Sequence, residues 1–207
     1  MRGLRVTAFA IPYSLNPHSL QKKGNLSMSV VTQASTQMGL SAPASARLQP
    51  EMTPQVAVQT LLDAGDTQDA LKLLARLLPK RYAVAWLLQC ARDQPLGLED
   101  KAGASLAEKW VREPNEDNRR AAFEFANAGG YRSLGAWLAA AAGWSGGSLA
   151  PAAQETPVPP AEHLTARATV AAINLMSALV EEQFEARRTA FIGRAMSLLT
   201  ANADAHR

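Results

Sequence analysis

The chain has 207 residues, with 21 Lys+Arg against 18 Asp+Glu, three His and a single Cys. One thiol excludes an internal disulfide. Three scattered histidines and one thiol do not make a structural zinc site, which takes four closely spaced Cys or His ligands. No run of about 18 apolar residues occurs, so no segment reads as membrane-spanning.

The charge is unevenly spread. Residues 1–50 carry five basic residues (Arg2, Arg5, Lys22, Lys23, Arg47) and no acid. Residues 51–207 hold the remaining 16 basic and 18 acidic residues, a net charge of −2. The pI of 9.2 therefore comes from the N-terminal part. Nucleic-acid binding needs a basic face that neutralises phosphates, and the body lacks one. The pairs Lys80-Arg81, Arg119-Arg120 and Arg187-Arg188 read as solvated helix edges.

Residues 1–52 read as a disordered tail or a start-site extension, with Met1, Met28, Met38 and Met52 as alternative starts. This stretch is rich in Ser, Thr, Gln and Ala, has prolines at 12, 17, 43 and 50, and shows no sustained period. Such a segment buries too little apolar surface to offset its ordering entropy. A signal peptide is the weaker reading, because Pro12 interrupts the apolar run after Arg5.

From residue 53 to 207 the pattern predicts one helical domain. Thr53-Pro54 opens the first helix, which stops at Gly65. The second starts at Asp66 or Thr67, carries Leu71, Leu74 and Leu78, and ends at Pro79. The third, about 80–93, is apolar on nearly every side around Trp86 and Cys90, so it belongs inside. The fourth, about 98–112, sets Glu108 four residues before Arg112, an exposed ion pair. Asn115 caps the fifth, with Glu116 and Asp117 in its first turn and Gly129-Gly130 at its end. The sixth, about 133–142, is short and Ala-rich around Leu134, Trp137 and Leu138. An irregular Gly/Pro-rich loop fills 143–163. The seventh and eighth helices cover about 165–180 and 182–201. No segment alternates with period two, so the fold class is all-α: a compact bundle of about eight helices, or a stack of antiparallel helix pairs.

Gly143-Trp144-Ser145-Gly146-Gly147 matches the nucleophile-elbow pattern. That pattern works on a strained strand-to-helix turn. Here a helix precedes it and a proline-rich loop follows, so Ser145 reads as part of a helix stop in which Gly146 and Gly147 take positive φ. A triad with Asp204 and His206 would hang on a fraying terminus. Trp86 and Trp137 read as core residues, and Trp144 as a ring that covers the bundle end or faces a groove. Cys90 reads as a buried, inert thiol, and His163 as a loop or capping residue. No carboxylate–histidine pair has di-iron spacing, and no nucleotide-binding glycine motif occurs.

The runs Pro114-Asn115-Glu116-Asp117-Asn118-Arg119-Arg120-Ala121-Ala122-Phe123, Trp144-Ser145-Gly146-Gly147-Ser148-Leu149-Ala150-Pro151, Val158-Pro159-Pro160 and Leu164-Thr165-Ala166-Arg167-Ala168 resemble an uncharacterised bacterial all-helical family. The resemblance spans about residues 55–200. Some members stand near type VI secretion genes, which implies a secretion-associated, non-enzymatic role. The expectation is a cytoplasmic accessory or adaptor protein that binds another protein. It takes no cofactor, metal or nucleic acid, and its candidate binding residues are Trp137, Trp144, Ser145, Gly146, Gly147 and Ser148. The alternative is a ligand-binding or enzymatic bundle with a pocket walled by Trp137 and Trp144.

Overall fold

The computed structural model describes residues 28–151 and 153–204, with side chains as far as residue 199. Among the described residues every regular element is helical: α1 (Val30–Met38), α2 (Ala42–Arg47), α3 (Pro54–Asp63), α4 (Thr67–Leu77), α5 (Lys80–Arg92), α6 (Leu98–Arg112), α7 (Glu116–Ala128), α8 (Leu134–Gly143), α9 (Leu164–Ala178) and α10 (Phe184–Asp204). A 3-10 turn, Glu181–Gln183, leads into α10. The eight helices expected beyond residue 53 are α3 to α10, close to their expected bounds.

Their ends follow local chemistry. The Thr53 hydroxyl accepts from the Val56 N–H at 3.3 Å, with Pro54 in the first helical position. Asn115 Oδ1 accepts from the Asn118 N–H at 2.9 Å. Ser133 Oγ accepts from the Ala136 N–H at 3.2 Å. Each satisfies a donor that has no partner within its helix.

The helical body begins before residue 53, which corrects the boundary of the tail. Residues 30–47 form α1 and α2, and Val31, Ala34, Met38 and Ala44 are buried. Val31, Ala34, Ser35 and Met38 stand at i, i+3, i+4 and i+7, a helical face built from mostly small residues. Ser29 and Ser41 cap the two helices, and Gly39 (φ 61°) turns the chain between them. Only two of the four face residues are large, so the period is weak in the sequence. Residues 1–27, including Arg2, Arg5, Lys22 and Lys23, lie outside the described residues.

The short, Ala-rich helix α8 is the centre of the fold. It packs against α5, α6, α7 and α9. Every residue from Leu138 to Gly143 is buried. A helix that is apolar all round has no solvent face to keep, so burial on all sides is its stable placement. Glycines set the distance to its neighbours. A Cβ on Gly103 of α6 would lie 2.0 Å from the Gly135 carbonyl oxygen, and one on Gly143 would lie 2.6 Å from the Phe123 Cα of α7. Asp100 Oδ1 of α6 accepts the Gly135 N–H at 2.7 Å, tying the start of α8 to the same crossing.

Trp86 joins two further layers. It is fully buried, and its indole N–H donates to the Phe191 carbonyl of α10 at 2.8 Å. The bond satisfies the polar edge of a ring that is otherwise surrounded by apolar groups.

Candidate interaction site

The turn after α8 is fixed by cations from other helices. Arg119 of α7, only 3% exposed, donates through Nη1 to the Gly143 carbonyl at 2.6 Å and through Nη2 to the Ser148 carbonyl at 3.1 Å. Its Nε and Nη2 also meet the two carboxylate oxygens of Glu116 at 2.6 Å. Arg120 Nη1 donates to the Ala150 carbonyl at 2.7 Å, and Lys80 Nζ to the Ser145 carbonyl at 2.9 Å. Positive charge at the C-terminal end of α8 is favoured by the helix dipole, and a planar guanidinium can hold several acceptors at once. The hydrogen-bonded Arg119 guanidinium holds the Glu116 carboxyl below its ordinary value, outweighing the partial burial that opposes this.

Two of the three basic pairs are therefore not solvated helix edges, since Arg119 and Arg188 are buried, while Arg81 of the third stays exposed. Besides Arg119 and Arg120, Arg81 Nε donates to the Val111 carbonyl at 2.8 Å. Arg188 is buried, bonded to Gln68 and Glu185. The sequence shows the charge of these side chains but not the carbonyls they reach, which lie 24 to 30 residues away for Arg81, Arg119 and Arg120.

The pinned segment closes on itself. The Ser148 hydroxyl accepts from the N–H groups of Ala150 at 3.1 Å and Val158 at 3.0 Å, and the Leu149 N–H donates to the Val158 carbonyl at 2.8 Å. Gly147 has φ 62°, but Gly146 does not take positive φ, which corrects half of the expected pair. A Cβ on Gly147 would lie 2.5 Å from Arg119 Nε and 2.6 Å from Glu116 Oε2, whereas Gly146 has open space.

Beside this turn stand three half-buried rings. Tyr131 lies 5.6 Å from Trp137 and 5.2 Å from Trp144, and the two indoles are 6.0 Å apart and nearly perpendicular. Trp137 lies on α8 and Trp144, seven residues later, is its C-cap, which brings the two rings to the same side. Tyr131 joins them because the chain turns back after α7 with Gly130 and Tyr131 both left-handed, at φ 59° and 58°. Tyr131 was not among the expected residues; the Gly129-Gly130 stop just before it is the only signal. The three rings stand within contact distance of one another and form a continuous aromatic ridge. Trp137 is a half-buried member of this ridge rather than a core residue.

Ser145 follows a helix and begins a loop, without a strand before it. Its N–H donates to the Ala142 carbonyl at 3.1 Å, as in a helix C-terminal turn. His206 and the Asp204 side chain lie outside the described residues. His163 occupies the position before α9 but makes no side-chain cap; burial first, then Arg167 and Arg76, lower its pKa. Cys90 is buried, and its thiol is pushed up to about 12 by desolvation, which Arg194 only partly offsets. Such a thiol is not a nucleophile. Among the described residues no group of three or more His, Cys, Asp or Glu could hold a metal, and no helix is long and apolar enough to cross a membrane.

Fold and site together define a small all-α domain with a glycine-spaced central helix and an arginine-pinned turn. The chain belongs to a family of unknown function, DUF6931, which it matches over residues 57–199. No curated protein matches it. No solved structure matches it either.

Proposed function

We propose that this protein is a non-enzymatic helical adaptor that binds another protein through the ridge of Tyr131, Trp137 and Trp144 and the turn beside it. One observation carries the reading. The three rings are half-exposed, and neither indole N–H has an acceptor among the described residues, yet the backbone beneath them is fixed by Arg119, Arg120 and Lys80. Aromatic residues on a rigid support supply contact area at little ordering cost, and anchors of this kind dominate protein interfaces. The sequence resemblance favours a component of a type VI secretion system as the partner, with a cytoplasmic setting.

The test compares the full chain with Trp144→Ala and Ser145→Ala in affinity capture followed by quantitative mass spectrometry. The adaptor reading expects a defined partner that is lost with Trp144→Ala and kept with Ser145→Ala, both variants retaining native helicity. Equal capture by all three proteins excludes the ridge as the contact. Turnover of an ester that disappears in Ser145→Ala overturns the non-enzymatic reading.

A further inference from the structure

We propose that α1 and α2 form a reversible strap, whose corner is a plug seated in a charged socket on α4 and α9 and leaves it as a unit while the rest of the fold stays intact. The inference is independent of the aromatic ridge and rests on how the corner is held.

Three cations of the body grip the C-terminal end of α1. Lys72 Nζ donates to the Gly39 carbonyl at 3.1 Å, Arg167 Nη2 to the Gln37 carbonyl at 3.4 Å, and Arg76 Nε to the Gln37 side-chain oxygen at 2.7 Å. This is where a helix carries partial negative charge. One carboxylate takes the other side of the corner: Asp69 Oδ2 accepts the Ser41 N–H at 3.2 Å, while its Oδ1 meets Lys72 at 2.9 Å. Asp69, Lys72 and Arg76 stand at i, i+3 and i+7, a polar stripe on α4 beside its buried leucines. Plug and socket are thus complementary in charge at both ends.

The plug is weak on its own. α1 has nine residues, none charged and many of them Val, Ser or Thr, and an isolated helix of that length does not persist in water. It contributes few large apolar groups to the core. An open cleft of about 250 Å³ lies at α1 and α2, lined by Thr32, Ser35, Thr36, Leu40, Ser45 and Leu48, and among the described residues the only side-chain hydrogen bond between the two helices is the 3.0 Å one between the Ser35 and Ser45 hydroxyls. Once out of its socket the segment therefore melts, an order–disorder change. The residues that match the family begin at 57, so the socket residues lie inside the matched stretch and the plug lies outside it. Vacated, the socket offers an apolar strip next to three cations, which suits the C-terminal end of another amphipathic helix.

The experiment is amide hydrogen exchange on the full chain, read by mass spectrometry at low and high salt. The strap requires amides of residues 30–47 to exchange at least about a hundredfold faster than those of α8, because they open without global unfolding. It also requires their rate to rise severalfold, by roughly three to ten times, between about 0.05 and 0.5 M NaCl, as screening weakens the grip. Asp69→Asn should speed exchange in 30–47 and leave α8 unchanged. Equal rates in the two regions overturn the proposal. So does exchange in 30–47 that ignores both salt and Asp69→Asn.

Discussion

The centre of the molecule and its N-terminal corner are held by opposite means. Around α8, backbones approach so closely that glycine is the only residue that fits at Gly103, Gly135 and Gly143. Around α1 and α2 the buried apolar groups are mostly small (Val31, Ala34 and Ala44, with Met38 the one long side chain), and long side chains of α4 and α9 reach out to backbone carbonyls. Contact at the centre is short-ranged and fails when one methyl group is added. The corner's contacts are charge-based and are weakened by solvent. The contrast teaches that helices of one small domain can differ widely in how much free energy it takes to move them.

The largest expected effect lies at the centre. Gly103→Ala or Gly135→Val should lower stability by roughly 3 kcal/mol or more, because the new carbon meets backbone atoms that cannot rotate away. Thermal melts followed by circular dichroism measure this, and a drop of less than about 1 kcal/mol would show that α6 and α8 can slide apart.

Next comes the pinned turn. Arg119→Met leaves the buried carbonyl of Gly143 and the part-buried carbonyl of Ser148 without this donor and should cost about 2–4 kcal/mol, with Arg119→Lys between it and the wild type. The Arg119–Glu116 pair adds an acid limb. The folded pKa of Glu116 lies below its unfolded value, so its contribution is present above the unfolded value and is lost as pH falls through the folded one. Urea midpoints measured from neutral to acid pH should fall at the acid end, and Glu116→Gln should flatten that fall.

A smaller effect separates the two glycines of the turn. Gly147→Ala should cost about 1–3 kcal/mol, since the position has positive φ and faces the Arg119–Glu116 pair. Gly146→Ala should stay within about 0.5 kcal/mol of the wild type in the same melts.

The corner gives the sharpest contrast with the centre. Met38 is its largest buried side chain, and in an ordinary core its truncation would cost about 2–5 kcal/mol. If the corner opens by itself, the loss cannot exceed its own docking free energy, so Met38→Ala should cost only about 1 kcal/mol in global urea unfolding. A loss as large as that of Gly103→Ala would place the corner in the same cooperative unit as α8.

Much of the helical frame is legible in the sequence because its signals are local. Thr53-Pro54, Asn115 and Gly129-Gly130 each act on backbone groups within a few residues, and each marks a helix end in the structure. What is not legible depends on partners far along the chain. Gly103 and Gly135 count as costs in helix interiors until each is seen to face the backbone of the other helix. Arg119 looks like a surface charge until its carbonyl acceptors beyond α8 are placed beside it. Two of the runs behind the family resemblance, around Arg119 and around Trp144, prove to be neighbours in space. α1 is hidden for a related reason: its buried face is built of mostly small residues, and part of its seat is supplied by Lys72, Arg76 and Arg167. In the candidate site, Trp144 is legible as a ring at a helix end, while Tyr131 arrives only through the left-handed turn that brings it back.

The ridge of rings also gives the protein an optical signature. Indoles 6.0 Å apart are close enough for their excited states to couple, and a coupled pair held in one chiral arrangement gives a circular dichroism signal that an isolated indole lacks. Trp86, enclosed and bonded to a backbone carbonyl, emits from a dry environment, whereas Trp137 and Trp144 meet solvent. One unlabelled sample therefore carries two separable channels. The blue-edge fluorescence follows the interior, and the dichroic couplet follows the ridge.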